Sequence, residues 1–544
     1  MKRQVFQIKN QLHVSRYLYI VAFIAVLTVL FLTIANLERI AAMLGLNTQS
    51  EAQDQLNLFN EGDADSRIEQ LKDNASSTTG NTIEVVLYDP EEDAAFIRSE
   101  LELMKQNYAA VSSLSSVEDT ATLLVIDADA LSEADTAELA RLKAQGISLL
   151  FSGIPNEGNL SLSLRELLGI QTIGQVENWP GLRTSEQLYT GTLQEEPEIG
   201  IRAYDIRLKE NTKVYACALP EEVEEEEQSE LPPLAWRYIS DDSGYVYVLN
   251  GDESEYGMLS VALSEINGSY IYPVVNACCV SVTGFPYVNN DTRDSWTRLY
   301  GRDKIGIQRD MLYTQLKRYI DLYDVKLTCF SEEYDELMAD EDNYFVTDIL
   351  SNSGFIADCR NGKYSLGSGM EANLVEDWQP DFSFIDLEDG SLKLPICFNS
   401  TIEDAAPASL EVSRMAGVFG YYALNVDYLD FLSYDGEKDI WTAYCKDQQS
   451  GLGNLDEKYG WLDRVTLPEA FARLLQLYQS DISVQYSDTE IAVTVESSDD
   501  EGCFLLRTAH AKPTIDNGSI EQLGTNCYFV TVKGDSAVIS WEEN

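Results

Sequence analysis

His13 and His510 are the only histidines among 544 residues, against 91 aspartates and glutamates. That inventory bounds the chemistry before any pattern is sought. His13 falls near the start of the chain and His510 in a terminal stretch of short strands, so the middle of the chain has no imidazole for a metal site or a Ser-His-Asp triad. Carboxylates remain, and two of them flanking a glycosidic bond suffice to hydrolyse it. The best-placed candidates are Asp291 and Asp294, which follow the loop VSVTGFPYVNND (280–291), and Asp427 and Asp430 in YYALNVDYLDF. With so many acidic residues, any chosen pair is more often part of a solvated face. Aromatic side chains add a second kind of chemistry. The chain has 30 tyrosines and seven tryptophans, among them Trp296, Trp378, Trp441 and Trp461, whose ring faces could stack on sugars or simply fill cores.

Nine cysteines are scattered from Cys217 to Cys527 without a C-x-x-C pair, mostly in apolar surroundings such as ACCVSV, KLTCF and LPICF. Their spacing suits small core side chains, and a disulfide between two of them is left open. No motif calls for a cofactor or a metal.

These residues need elements to position them. From Thr82 the runs TIEVVLYD, ATLLVIDAD and GISLLFSG alternate with amphipathic helical stretches, one opened by the capping pattern of Ser132 and Asp135. Continuous apolar strands alternating with helices predict a parallel α/β domain over 81–199, with Asp127 and Ser152 at carboxyl ends of strands. Residues 200–270 predict a β-rich segment interrupted by the exposed acidic run PEEVEEEEQSELPP. Over 271–480 strand and helix alternate again, beginning with a buried strand from Tyr272 to Val282, and the spacing suits a larger β/α barrel. Residues 481–544 read as a C-terminal β-sandwich.

Ahead of these lie a basic tail (1–16), an uncharged run from Tyr17 to Ala35 and a polar stalk or linker (36–80). The run has the length of a transmembrane helix, and Lys2, Arg3, Lys9 and Arg16 before it predict a single-pass cell-membrane protein with its bulk extracellular. The formal net charge of −53 excludes nucleic acid as a partner and favours a cationic one.

The region from Ile271 to Gln479 resembles the exported polysaccharide deacetylases, and most closely the deacetylase-like proteins of Pel-type exopolysaccharide operons. The resemblance rests on the loop VSVTGFPYVNND and on FGYYALNVDYLDF, followed by KDIWTAYCKD and DEKYGWLDRVTLPEAFARL. It implies a deacetylase-like β/α barrel, preceded by an α/β domain of flavodoxin- or amidotransferase-like type. It also implies that the first barrel strand should end in two aspartates before Phe-Pro, one a base and one a metal ligand. This chain keeps Phe285 and Pro286 but has Thr283 and Gly284 in place of the pair, and Asn425 where a histidine is expected. Metal-assisted deacetylation needs a polarising ion and the ligands to hold it, so these departures remove ligands and base together.

The expectation is therefore a membrane-anchored deacetylase-like protein without catalysis, acting in the synthesis, export or binding of a cell-surface polysaccharide, an amino-sugar polymer in particular. Two alternatives stand beside it. One is an active carbohydrate hydrolase or deacetylase that uses barrel carboxylates. The other is a scaffold that touches no sugar and docks exopolysaccharide synthase subunits.

Overall fold

The computed structural model describes residues 83–541, apart from short stretches of which the longest are 221–230, 287–297 and 375–392. The expected membrane anchor is corrected here. Among the described residues no helix is long and apolar enough to cross a membrane, and the run from Tyr17 to Ala35 lies outside them. Nothing below relies on an anchor or on a compartment.

The first sheet has nine strands. Tyr108–Val111, Val85–Tyr88, Leu123–Ile126, Ser148–Phe151 and Val246–Leu249 run parallel, and Pro233–Tyr238, Thr212–Leu219, Gly181–Thr184 and Gln194–Glu196 extend it in antiparallel fashion. The expected boundary at 199/200 therefore falls inside one sheet. The reason is the run VYVL (246–249), buried at every residue, which pairs with Ser148–Phe151 and joins the late strands to the early ones. A parallel strand covered on both faces tolerates only such a continuous apolar run.

The stretch expected as one strand from Tyr272 to Val282 is two. Ser269–Pro273 pairs antiparallel with Glu501–Thr508, in a sheet that packs its Ile271, Phe504 and Val530 against Ile482, Val493 and Ile539 of a second four-stranded sheet. Pro273 has no N–H to continue a ladder, and Asn276 turns the chain at φ +54°. The next strand, β1 (Ala277–Thr283), begins the barrel.

The remaining barrel strands are β2 (Leu327–Ser331), β3 (Phe355–Arg360), β4 (Lys363–Gly367), β5 (Met370–Leu374), β6 (Lys393–Ile396, continued after Cys397 by Phe398–Ser400) and β7 (Tyr421–Asp427). One part of β6 pairs with β5 and the other with β7, while β7 also pairs with β1, so the sheet closes on itself. Closure leaves no edge exposed. The barrel departs from a regular β/α repeat because β3, β4 and β5 are joined as antiparallel neighbours.

Helix α1 (Tyr313–Tyr323), preceded by a wide π-helical turn at Gln308–Leu312, and helix α2 (Tyr344–Ser351) cover the outer wall. Outward Cys278, Val280 and Val282 of β1 pack with Leu312, Leu316 and Tyr319. Helix α3 (Leu467–Gln479), begun by a capping box of Thr466 and Glu469, closes the amino end of the barrel. Its Leu467, Ala470, Phe471 and Leu474 join inward Cys279, Phe330, Ile396 and Tyr421 in one core. That plug fills the amino end of the barrel.

Candidate functional site at the carboxyl end of the barrel

Alternation along β1 turns Cys279, Ser281 and Thr283 to the interior, and the parallel register sets Ser281 beside Asn425 and Thr283 beside Asp427. On β1 and β7 the apolar filling gives way to polar side chains above Cys279 and Ala423, while Phe330 of β2 stays apolar at the level of Thr283. Ser281 Oγ donates to Asn425 Oδ1 at 2.9 Å. Asn425 Nδ2 donates to Asn399 Oδ1 at 2.7 Å and to Thr283 Oγ1 at 3.2 Å. Thr283 Oγ1 in turn donates to Asp427 Oδ1 at 3.4 Å, an oxygen that also accepts from the Asp430 amide at 3.1 Å. Ser281, Thr283 and Asn425 are fully buried, so each of these bonds offsets a desolvation cost of about 1–3 kcal/mol that an unpaired group would carry.

This chain of donors runs outward to a single carboxylate. Asp427 is half-buried at the end of β7. Inward Cys359 of β3 lies near the same end of the barrel, with Asp358 beside it on the outer face and the exposed Glu332 after β2. Their shared field is registered by Cys359: burial first, then the charges of Glu332, Asp358 and Asp427, push its thiol up to about 11. The floor is thus neutral, and the carboxylate that geometry joins to it is Asp427.

A divalent ion held as the family resemblance implies would need carboxylate or imidazole donors converging on one point. Here the floor offers two hydroxyls and two amides, already bonded to one another, with one carboxylate. These residues do not fit such an ion. Among the described residues no group of three or more His, Cys, Asp or Glu side chains is gathered closely enough to hold a metal.

The sequence candidates separate accordingly. Thr283, Asn425 and Asp427 are brought together, and Gly284 makes the turn above them at φ +68°, a left-handed conformation that glycine adopts without strain. Asp430 bends away, its Oδ2 accepting from the Ile402 amide at 2.8 Å. Asp291 and Asp294 lie outside the described residues, as do Trp296 and Trp378. Trp441 stacks on Tyr444 at 5.7 Å and Trp461 lies 5.1 Å from Phe529, so neither is an open platform. His510 stacks on Trp541 at 4.3 Å in the sandwich. All nine cysteines are free thiols. In the first sheet, Ser152 Oγ accepts from the Ala128 amide and Asp127 Oδ1 from the Asp129 amide, which gives both the role of loop fasteners.

Phe285 has a structural job that the sequence reading did not assign. It is completely buried, with its ring 5.9 Å from Tyr313, 5.4 Å from Phe345 and 6.1 Å from Tyr428. Ser331 Oγ donates to the Pro286 carbonyl at 2.7 Å. The Phe-Pro pair thus fastens the loop to α1 and α2, and packing alone is a sufficient reason to keep it. Asn399, Asp358 and Cys359 went unnoticed in the sequence. The only available signal was their placement at strand ends in a closed barrel, which becomes visible once the register is known.

No family model and no curated protein matches the chain. Among solved structures it is similar to the crystal structure of Agd3, a novel carbohydrate deacetylase, with 11% identity and a TM-score of 0.43 over 85% of this chain and 98% of that one. It is also similar to the exo-β-1,4-mannosidase Op5Man5 from Opitutaceae bacterium strain TAV5, with 14% identity and a TM-score of 0.23 over 34% of each chain. At these values neither likeness bears on the chemistry of the barrel mouth.

Proposed function

We propose that the barrel mouth binds a polysaccharide of amino sugars and does not deacetylate it. The observation that carries this reading is the pairing of a neutral, mutually satisfied floor (Ser281, Asn425, Asn399 and Thr283) with the carboxylate of Asp427 at its outer end. A floor of that kind has no group to polarise an acyl carbonyl or to activate water. A carboxylate at the mouth favours an ammonium, and a free amino sugar supplies one. The whole chain carries −53, so a cationic polymer is also drawn to it over longer range.

The test uses the full-length chain with partly deacetylated chitosan oligomers, with and without Zn2+, following binding, acetate release and new reducing ends in the same samples. The expected result is binding that weakens as salt is raised, no acetate and no new reducing ends, and several-fold weaker binding by Asp427→Asn. Zinc-dependent acetate release would overturn the reading in favour of a deacetylase, and new reducing ends would overturn it in favour of a carboxylate hydrolase.

A further inference from the structure

The outer wall of the barrel carries a second surface with the marks of a ligand site. Helix α1 and the turn before it present Arg309, Tyr313, Thr314, Lys317, Arg318, Asp321 and Leu322 along one side, and Tyr344 at the start of α2 stands across from them. Together they line an open groove of about 660 Å3, within the ~300–1,000 Å3 range common for ligand sites. Tyr344 is 60% exposed, and every other described aromatic residue is buried or half-buried. Leu322, 53% exposed, adds an apolar surface further along α1.

Tyr344 is held, not loose. Its ring meets Tyr313 edge-on at 6.1 Å and Phe345 at 5.7 Å. The Tyr313 hydroxyl donates to Asp348, and Lys317 Nζ donates to Asn352 Oδ1 at 3.0 Å while lying 3.7 Å from Asp348. These contacts brace α1 against α2 and fix the width of the groove. A braced aromatic face in an open groove loses little conformational entropy on binding.

The charges identify the class of ligand. Arg309 is paired with Asp310 at 2.7 Å, Lys317 with Asp348, and the exposed Arg318 shares its rim with the exposed Asp321. The groove therefore has no strong local charge, on a chain that repels polyanions through its −53. It offers a ring face for the C–H side of a pyranose, with planar Arg318 and Asp321 beside it for vicinal hydroxyls. We infer that the α1/α2 groove binds a strand of uncharged pyranose polymer, at a site separate from the acidic barrel mouth. This inference does not depend on the reading of the mouth.

The experiment titrates the full-length chain with two uncharged probes, penta-N-acetylchitopentaose and cellopentaose, by calorimetry and ligand-observed NMR. Binding of at least one is expected, with little dependence on salt, about tenfold weaker in Tyr344→Ala and several-fold weaker in Arg318→Ala. Leu162→Ala, which trims another exposed apolar side chain outside the groove, should bind as the wild type does. Excess fully deacetylated chitosan pentamer, the probe for the mouth, should not displace the bound uncharged oligomer. Equal affinities in wild type and Tyr344→Ala would overturn the inference, as would failure of both uncharged probes to bind or their displacement by the chitosan pentamer. Because Tyr344 is exposed, unchanged thermal unfolding of Tyr344→Ala is the accompanying control for folding.

Discussion

Among the polar clusters of the described residues, one in the first sheet and one in the barrel are built in opposite ways. In the first sheet Glu265, on the helix Met258–Asn267, accepts from Lys213 Nζ at 2.8 Å, Arg237 Nη1 at 2.7 Å, Tyr215 Oη at 2.7 Å and Tyr247 Oη at 3.1 Å. Burial pushes Glu265 up, but hydrogen bonds from Lys213 and Tyr215 and the Arg237 charge outweigh it and hold the carboxyl below its usual range. Burial, and then the Glu265 charge, push both tyrosines well above theirs. In the barrel the cluster of Ser281, Asn425, Asn399 and Thr283 contains no charge and reaches a carboxylate only at its solvent end. The first cluster is closed: every oxygen lone pair faces a donor, and it pins a helix to a sheet. The second ends at the half-buried Asp427. In the first sheet the charge is surrounded by donors; in the barrel it is kept at the outer end.

The comparison is broken most directly at Glu265. Glu265→Ala leaves half-buried Arg237, the partly exposed Lys213 and two buried phenols without their shared acceptor and should destabilise the chain by about 2–3 kcal/mol in urea unfolding. A loss below about 1 kcal/mol would make the cluster an ordinary surface ion pair. Because the folded carboxyl is held below its unfolded value of 4.5, its contribution is present above that pH and is lost as pH falls through the depressed folded value. Wild-type stability should therefore drop on acidification below about pH 4.5, and Glu265→Ala should show a shallower drop.

The barrel cluster predicts the opposite sign. Asn425→Asp puts a carboxylate at a fully buried position whose neighbours are neutral, so its charged form is disfavoured and its pKa should rise. The variant should lose about 2–3 kcal/mol at pH 7 and recover part of that loss as pH falls toward 5. If acidification costs it stability as it does the wild type, the floor of the barrel is more hydrated than its burial indicates.

A third buried group lies between these two cases. Lys105 is 1% exposed and donates to the Tyr478 carbonyl at 2.9 Å, tying the first sheet to α3. Burial lowers its pKa to about 7, with Asp481 opposing the shift. Above that pH the folded lysine is neutral while the unfolded one stays charged up to about 10.5, so stability should rise with pH between about 7 and 10. Lys105→Met should flatten that rise. An unchanged slope would show that this ammonium is better compensated than its burial indicates.

Much of this architecture is legible in the chain itself. VYVL, ACCVSVT and LTCFS are continuous apolar runs and form buried strands, and the Thr466/Glu469 pair opens a helix where an N-terminal cap is expected. Partner choice is less legible. Nothing local in VYVL states that it joins strands begun a hundred residues earlier, and nothing in Glu265 names Lys213, Tyr215, Arg237 and Tyr247. Those contacts are made by topology. In the barrel mouth Asn425 was reached through the family resemblance and Asp427 as one of several candidate carboxylates; that they face Ser281 and Thr283 is set by the register of β1 and β7. Asn399, Asp358 and Cys359 needed the register of β3 and β6 and the closure of the sheet. Phe285 and Pro286 carried a resemblance to an active-site loop, yet their contacts are those of packing.

The smallest expected effect probes the mouth itself. Cys359 has its thiol held up near 11 by burial first and then by Glu332, Asp358 and Asp427. Removing one of those charges in Asp427→Asn should lower the thiol's pKa by a fraction of a unit and raise its alkylation rate at pH 8 by about two- to threefold, since one unit corresponds to about tenfold. The other buried thiols serve as internal references, because Cys329 is raised by burial alone and should not respond. Peptide mapping after a timed iodoacetamide pulse reads both in one sample. A rise at Cys359 alone would place this thiol in the electrostatic field of the mouth, as the comparison of the two clusters requires. An equal rise at Cys329 would mean that the substitution loosens the barrel, and Asp427 would then belong with Glu265 as a structural charge.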